Sequence, residues 1–132
     1  MRDEIEDLPI YKQAKEVLKV TEAIVAGIDE EKDMLQIRDQ MLANAYMLGP
    51  KIAGAEGGGL YSIRMDNAVI IKLNARELRS MTYMLEAEEL VSPDYIKVLR
   101  DEIEKFRILF LEWVNSFDKE EDIEDDEWGF HW

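Results

Sequence analysis

The sequence predicts an all-α protein folded as an antiparallel up-down-up-down four-helix bundle. Three observations carry that expectation. Apolar residues recur at three- and four-residue intervals along four successive segments. The connections between those segments are short, which sets neighbouring helices side by side in opposite directions. No stretch alternates with the two-residue period of a strand, and no internal repeat competes. With 132 residues the chain is expected to be one domain with a real hydrophobic core. Residues 1–117 are assigned to the bundle, with helices about 9–26, 33–56, 60–90 and 93–117, and residues 118–132 to a tail.

The first segment opens at Pro9, which suits a first helical turn, with Asp7 or Leu8 just outside it. Ile10, Ala14, Val17, Thr21, Ile24 and Ile28 then mark one face, and Gly27 is the expected stop. The second segment follows the acidic run at 29–33 and repeats through Leu35, Arg38, Met41 or Leu42, Ala45, Leu48 and Ile52. Pro50 falls inside this pattern, so a kink or a restart is expected there. The run Gly57-Gly58-Gly59 is the expected turn between the two halves of the bundle. It does not read as a phosphate loop, which needs a preceding strand and a Gly-Lys-Ser/Thr ending.

The third segment places Leu60, Ile63, Asn67, Ile70, Asn74, Leu78, Met81 and Leu85 within a narrow inward arc. Lys72, Arg76 and Arg79 then fall on the opposite side. The fourth segment has the clearest start: Ser92 as N-cap, Pro93 behind it, Asp94 favourable to the helix dipole, and Val91 and Ile96 spaced as a staple. Its core stripe runs Ile96, Leu99, Ile103, Phe106, Phe110, Trp113 and Phe117.

This last helix carries more apolar residues than a bundle core needs. Ile108, Leu109, Leu111 and Val114 flank the stripe, and Ile108 and Leu109 point away from it. A helix that is apolar nearly all round is buried on more than one side. Self-association through this helix follows, unless flanking loops or the tail cover these residues.

Charge and composition exclude several functions. The net charge of −14 repels phosphate backbones and anionic membranes, arguing against general nucleic-acid binding while leaving room for a local basic patch. Cysteine is absent, so there is no disulfide framework or thiolate metal site. No run approaches the roughly 18 apolar residues of a membrane span. The acidic start does not read as a signal peptide, and a cytoplasmic location is expected.

No catalytic residues, cofactor or metal ligands are assigned, and the expectation is of a protein that is not an enzyme. Di-iron four-helix proteins require Glu-x-x-His pairs, but the one histidine is His131, next to the end. The same absence removes Ser-His and Cys-His nucleophiles. Glu86 and Glu89 with Asp101 and Glu104 have the spacing of Mg²⁺-binding carboxylate pairs in helical nucleotide hydrolases. Asp101 and Glu104 flank the core stripe, so a solvated acidic face is the stronger reading.

Arg38, Glu56, Arg64, Asn67 and Asn74 are polar at inward-tending positions. Buried polar groups need partners. Either they form a network that fixes helix register, or they line a small polar pocket. Lys12, Lys15 and Lys19 form one basic stripe and Lys72, Arg76 and Arg79 another. These are solvated faces, or they meet acidic surface on another subunit or a partner. The tail holds eight acidic residues and one lysine, yet ends in Trp128, Phe130 and Trp132. Aromatics of this kind are costly to expose and favoured as binding anchors. They dock on another protein, or they fold back on the bundle or a neighbouring subunit.

The stretch from Met47 to Gly57 resembles the second-helix signature of the small four-helix-bundle proteins encoded by intervening sequences in large-subunit ribosomal RNA genes. Pro50, Ile52, Ala53, Glu56 and Gly57 match that pattern, and Leu8-Pro-Ile-Tyr-Lys12 and the helix order agree over roughly residues 8 to 117. The resemblance implies a homo-oligomer, a pentameric ring, with no enzymatic activity. A related branch comprises accessory proteins of diversity-generating retroelements, basic pentamers that partner a reverse transcriptase. This chain differs from that branch in charge, and its tail lies outside the shared pattern. The sequence-level expectation is therefore a non-catalytic oligomeric binding or scaffold protein. The alternatives are an accessory factor for a nucleic-acid enzyme such as a reverse transcriptase, or a metal-dependent nucleotide hydrolase.

Overall fold

A computed structural model describes residues 2–124, 127–130 and 132, without the side chains of Arg2 and Asp3. Met1, Asp125, Asp126 and the histidine of the tail, His131, lie outside the described residues. The described chain is all-helical: α1 Arg2–Glu6, α2 Pro9–Ala26, α3 Ile37–Gly58, α4 Tyr61–Ala87 and α5 Pro93–Asn115. The short α1 packs on α2 and is an addition to the expected segments. α2 contacts α3 and α5, and α4 contacts α3 and α5, so the four long helices close around one core.

α2 starts with Pro9 in its first turn and buries Ile10, Ala14, Val17, Thr21, Ile24 and Val25. The Thr21 hydroxyl, fully buried, donates to the Val17 carbonyl at 2.7 Å, which satisfies it inside the helix. α5 starts at the Ser92 cap, whose hydroxyl accepts from the Asp94 N–H. Its buried face runs Ile96, Leu99, Ile103, Phe106 and Trp113, and Phe117 continues it past the last turn. Rings at Phe106, Phe110, Trp113 and Phe117 stack in series, closing on a 4.8 Å edge-to-face pair between Trp113 and Phe117.

α3 begins at Ile37, four residues later than the sequence suggests, and Leu35 is exposed rather than inward. The cause is Asp33. Its carboxylate accepts from the N–H groups of Ile37 and Arg38 at 2.8 and 3.0 Å, capping the helix from outside. Gln36, at φ 55°, makes the turn this requires. α3 then runs through Pro50 to Gly58 without a break. Proline removes the hydrogen bond to the Tyr46 carbonyl, but Pro50 and Tyr46 are both exposed, so water can serve that oxygen.

α4 corrects the inward arc of the third segment. Leu78, Met81 and Leu85 are buried, but in the first half the buried residues are Ser62, Ala68 and Ile71. Ile63 and Ile70 lie at the surface, and Asn67 and Asn74 are only half-buried. Close approach of α3 and α4 explains the rotation. A Cβ on Gly54 would stand 3.1 Å from the Asn67 side-chain oxygen, and one on Gly58 would stand 3.0 Å from Ile63 Cγ2. Helices this close admit small side chains between them, so Ala55 and Ala68 take the interior and the isoleucines move to the edge. The turn itself is made by Gly59 at φ 70°, a left-handed conformation that costs glycine little.

Candidate assembly and docking surfaces

The four apolar residues flanking the α5 stripe divide into two pairs. Leu109 and Val114 are half-buried and pack on the core, Leu109 beside Leu8, Pro9 and Ile10. Ile108 and Leu111 are each 47% exposed. Three residues apart, they sit one above the other on adjacent turns. The chain thus covers half of the expected surplus by itself and leaves a two-residue ridge uncovered.

Leu111 is also one wall of a groove of about 260 Å³ between α4 and α5. Its floor is Ala75, Ile103, Phe106 and Phe110. Its rim is Lys72, Arg76 and Arg79 from α4, with Glu104 and Arg107 from α5. The rotation of α4 is what brings these three cations beside α5 instead of opposite the core. Among the described residues none of them has an ion-pair partner within 4 Å. Arg107 is occupied differently: its guanidinium donates to both oxygens of Glu104, Nη2 to Oε1 at 2.6 Å and Nε to Oε2 at 2.9 Å and Oε1 at 3.1 Å. That hydrogen bonding holds the Glu104 carboxyl below its ordinary range and raises Arg107. Arg79 also acts on Glu104 through space, and the groove lining keeps a net charge of +3, four cations against one carboxylate, in a chain of net charge −14. A second apolar groove, about 660 Å³, lies between the end of α2 and the start of α5, lined by Val20, Ile24, Leu90, Val91, Tyr95 and Val98.

The first part of the tail is built into the fold. Leu60, at the N-cap position of α4, has no side chain that can cap. The tail supplies the missing acceptors from sixty residues away. The Tyr61 N–H donates to the Glu121 carbonyl at 2.6 Å. The Ser62 N–H and hydroxyl donate to the two oxygens of the Asp122 carboxylate at 2.9 and 2.8 Å. The last residue returns to the same helix, Trp132 Nε1 donating to Asp66 at 3.0 Å. Between these points Trp128 and Phe130 are 87% and 86% exposed. The tail is thus held to α4 at Glu121, Asp122 and Trp132, with the Trp128 and Phe130 side chains exposed in between.

The five inward-tending polar residues do not form one network. Glu56 and Arg64 meet, Arg64 Nη2 lying 2.8 Å from Glu56 Oε1, and Trp113 Nε1 donates to that same oxygen at 2.7 Å. The Arg64 guanidinium also stacks 4.0 Å from the Phe117 ring centre. Arg38 works elsewhere, donating to the Val25 carbonyl and pairing with Glu30. Asn67 and Asn74 each donate to the carbonyl four residues back in their own helix, Ile63 and Ile70.

The carboxylates with metal-ligand spacing are dispersed among cations. Glu86 pairs with Arg100, Asp101 with Lys97 and Glu104 with Arg107, while Glu89 sits at φ 54° in the turn after α4. Among the described residues no group of three or more acidic, histidine or cysteine side chains is placed to hold a metal ion. Lys12, Lys15 and Lys19 are exposed along α2, Lys15 lying over the Tyr11 ring at 5.3 Å. No helix among the described residues is long and apolar enough to cross a membrane.

Sequence reasoning missed the α4–α5 groove and the capping role of Asp122. The uncapped start at Leu60-Tyr61-Ser62 was the one local signal that a distant acceptor was needed. Comparison of the chain with protein-family models, with curated proteins and with solved structures gives no match.

Proposed function

We propose that this chain is a non-catalytic binding or scaffold protein that works as a homo-oligomer, assembling through the outward side of α5. The observation that carries the reading is the exposed Ile108–Leu111 ridge beside an apolar-floored groove. Ridge and groove together give a surface that stays partly wet in one chain and that a second copy would cover. The reading takes α2 to α5 as an antiparallel four-helix bundle. Two residues join α3 to α4 and five join α4 to α5, lengths that favour antiparallel neighbours. The resemblance of Pro50, Ile52, Ala53, Glu56 and Gly57 to the intervening-sequence family adds support and points to a ring of five. Glu56, one of those positions, accepts from Arg64 on α4 and Trp113 on α5 and so ties three helices together.

Light scattering coupled to size exclusion tests this directly. A defined oligomer is expected, and a strict monomer at high micromolar concentration would sink the reading.

One observation favours a second reading, an accessory factor for a nucleic-acid enzyme. Lys72, Arg76 and Arg79, which have no ion-pair partner within 4 Å among the described residues, are a local basic patch of the sort a phosphate backbone meets. Binding to single-stranded RNA or DNA that weakens steeply with salt would support it. No binding at low salt, with or without a reverse transcriptase present, would remove it.

A further inference from the structure

We propose that the α4–α5 groove receives the acidic aromatic tail of a second copy of this chain. In that contact Trp128 or Phe130 sits on the apolar floor, and the carboxylates before them face Lys72, Arg76 and Arg79. The inference rests on the self-association proposed above and names the segment that completes it.

The chemistry of the two surfaces is complementary. The groove offers Phe106, Phe110 and Ile103 beneath three cations without ion-pair partners among the described residues. The tail offers two strongly exposed rings behind a run that carries half of the chain's −14. At about 260 Å³ the groove is smaller than a typical small-molecule pocket of roughly 300–1,000 Å³ and suits one aromatic side chain. Among the described residues Glu104 is the one acidic group lining the groove, and Arg107 holds it, with Arg79 acting on it through space. Two copies of an acidic protein repel each other overall, so a stable contact needs local opposite charge, and this pairing provides it.

The tail reaches another chain rather than its own groove because of where it is held. Asp122 is fixed at Ser62 and Trp132 at Asp66. Asp66 and Lys72 are six residues apart, so at about 100° per residue they point roughly 120° apart around α4. The tail of one copy therefore projects from one side of α4 while the groove opens on another. That arrangement is head-to-tail, and head-to-tail contacts close into rings when the rotation allows.

The test uses full-length variants and complementation. One chain carries Arg76→Glu with Arg79→Glu; the other carries Trp128→Ala with Phe130→Ala. Each alone is expected to associate at least about tenfold more weakly than the unmodified chain, by light scattering across a dilution series. Mixed, they should form a species of two chains, one intact tail meeting one intact groove. A synthetic peptide of residues 118–132 should also lower the mass of the unmodified oligomer, and the same peptide with alanine at both aromatic positions should not; this arm stands even if the charge-reversed chain folds poorly. If the unmodified chain is an oligomer but both variants and the peptide leave its mass unchanged, the tail–groove contact is wrong and self-association stands. If the unmodified chain is a monomer, both fall. If Arg76→Glu with Arg79→Glu abolishes binding of a labelled single-stranded RNA and leaves the mass unchanged, the groove is a nucleic-acid site and the inference is overturned.

Discussion

Trp113 donates its indole N–H to Glu56 at 2.7 Å, joining the end of α3 to the end of α5. The same carboxylate oxygen accepts from Arg64 on α4, and Arg64 in turn covers the Phe117 ring. Three helices are thus pinned through one oxygen at the end of the core where the tail departs. Glu56 and Arg64 are largely but not fully buried, so solvent screens part of their attraction.

Glu56→Ala is expected to cost about 1.5–3 kcal/mol, below the range for a fully buried pair, because it orphans the indole N–H and a partly buried guanidinium. Glu56→Gln keeps an acceptor oxygen and should cost less than half as much. Urea denaturation followed by far-UV circular dichroism measures both. Equal losses for the two variants would show that charge, rather than hydrogen bonding, holds this junction.

Asp122 acts on α4 as an N-cap residue normally acts on its own helix. Asp122→Ala should therefore cost about 0.5–2 kcal/mol, the usual range for losing a cap. Asp122→Asn, which retains an acceptor, should cost only a fraction of that. The loss should localise, so hydrogen exchange is expected to rise at the first turn of α4 and not at α2. Unchanged exchange at Tyr61 and Ser62 in Asp122→Ala would refute the capping role.

The sequence made some of this legible and hid the rest for physical reasons. α2 and α5 each carry one long stripe at helical spacing that goes into the core, so spacing alone identified Ile10 to Ile24 and Ile96 to Trp113. α4 offered two competing stripes, one through Ile63 and Ile70 and one through Ala68 and Ile71. Hydrophobicity favoured the first, and close packing against Gly54 and Gly58 selected the second. That rotation also decided where Lys72, Arg76 and Arg79 point, so the groove could not be seen from α4 alone. Asp33 and Asp122 were hidden differently. Each caps a helix that starts four or sixty residues away from it, and no local pattern announces a cap at such a separation.

Ile108 tests assembly without touching the core. It is half exposed and lies outside the buried stripe, so Ile108→Asp should change unfolding free energy by no more than about 0.5 kcal/mol. The same variant should shift the sedimentation coefficient toward that of one chain. Leu109→Asp is the contrasting control, because Leu109 packs on the core and its loss should lower stability by at least about 1 kcal/mol. An Ile108→Asp variant that sediments like the unmodified protein would place the assembly surface elsewhere.

Glu102 links acid stability to the contact between α2 and α5. Gln13 Nε2 on α2 donates to the Glu102 carboxylate at 2.6 Å and to its backbone carbonyl at 3.0 Å. The hydrogen bond from Gln13, helped by Lys105, holds the Glu102 carboxyl below its ordinary value of 4.5. The folded chain therefore binds this proton more weakly than the unfolded chain does. Its stabilising contribution is complete above the unfolded value and is lost as the pH falls toward the folded one. Stability should hold steady above about pH 5.5 and decline as pH drops through about 4.5, with Glu104 adding in the same direction through Arg107. Gln13→Leu removes the main cause, so the unfolding free energy of that variant should start lower at neutral pH and fall less steeply on acidification. Urea midpoints taken at closely spaced pH values measure the two slopes, and parallel slopes would mean that Gln13 does not perturb Glu102.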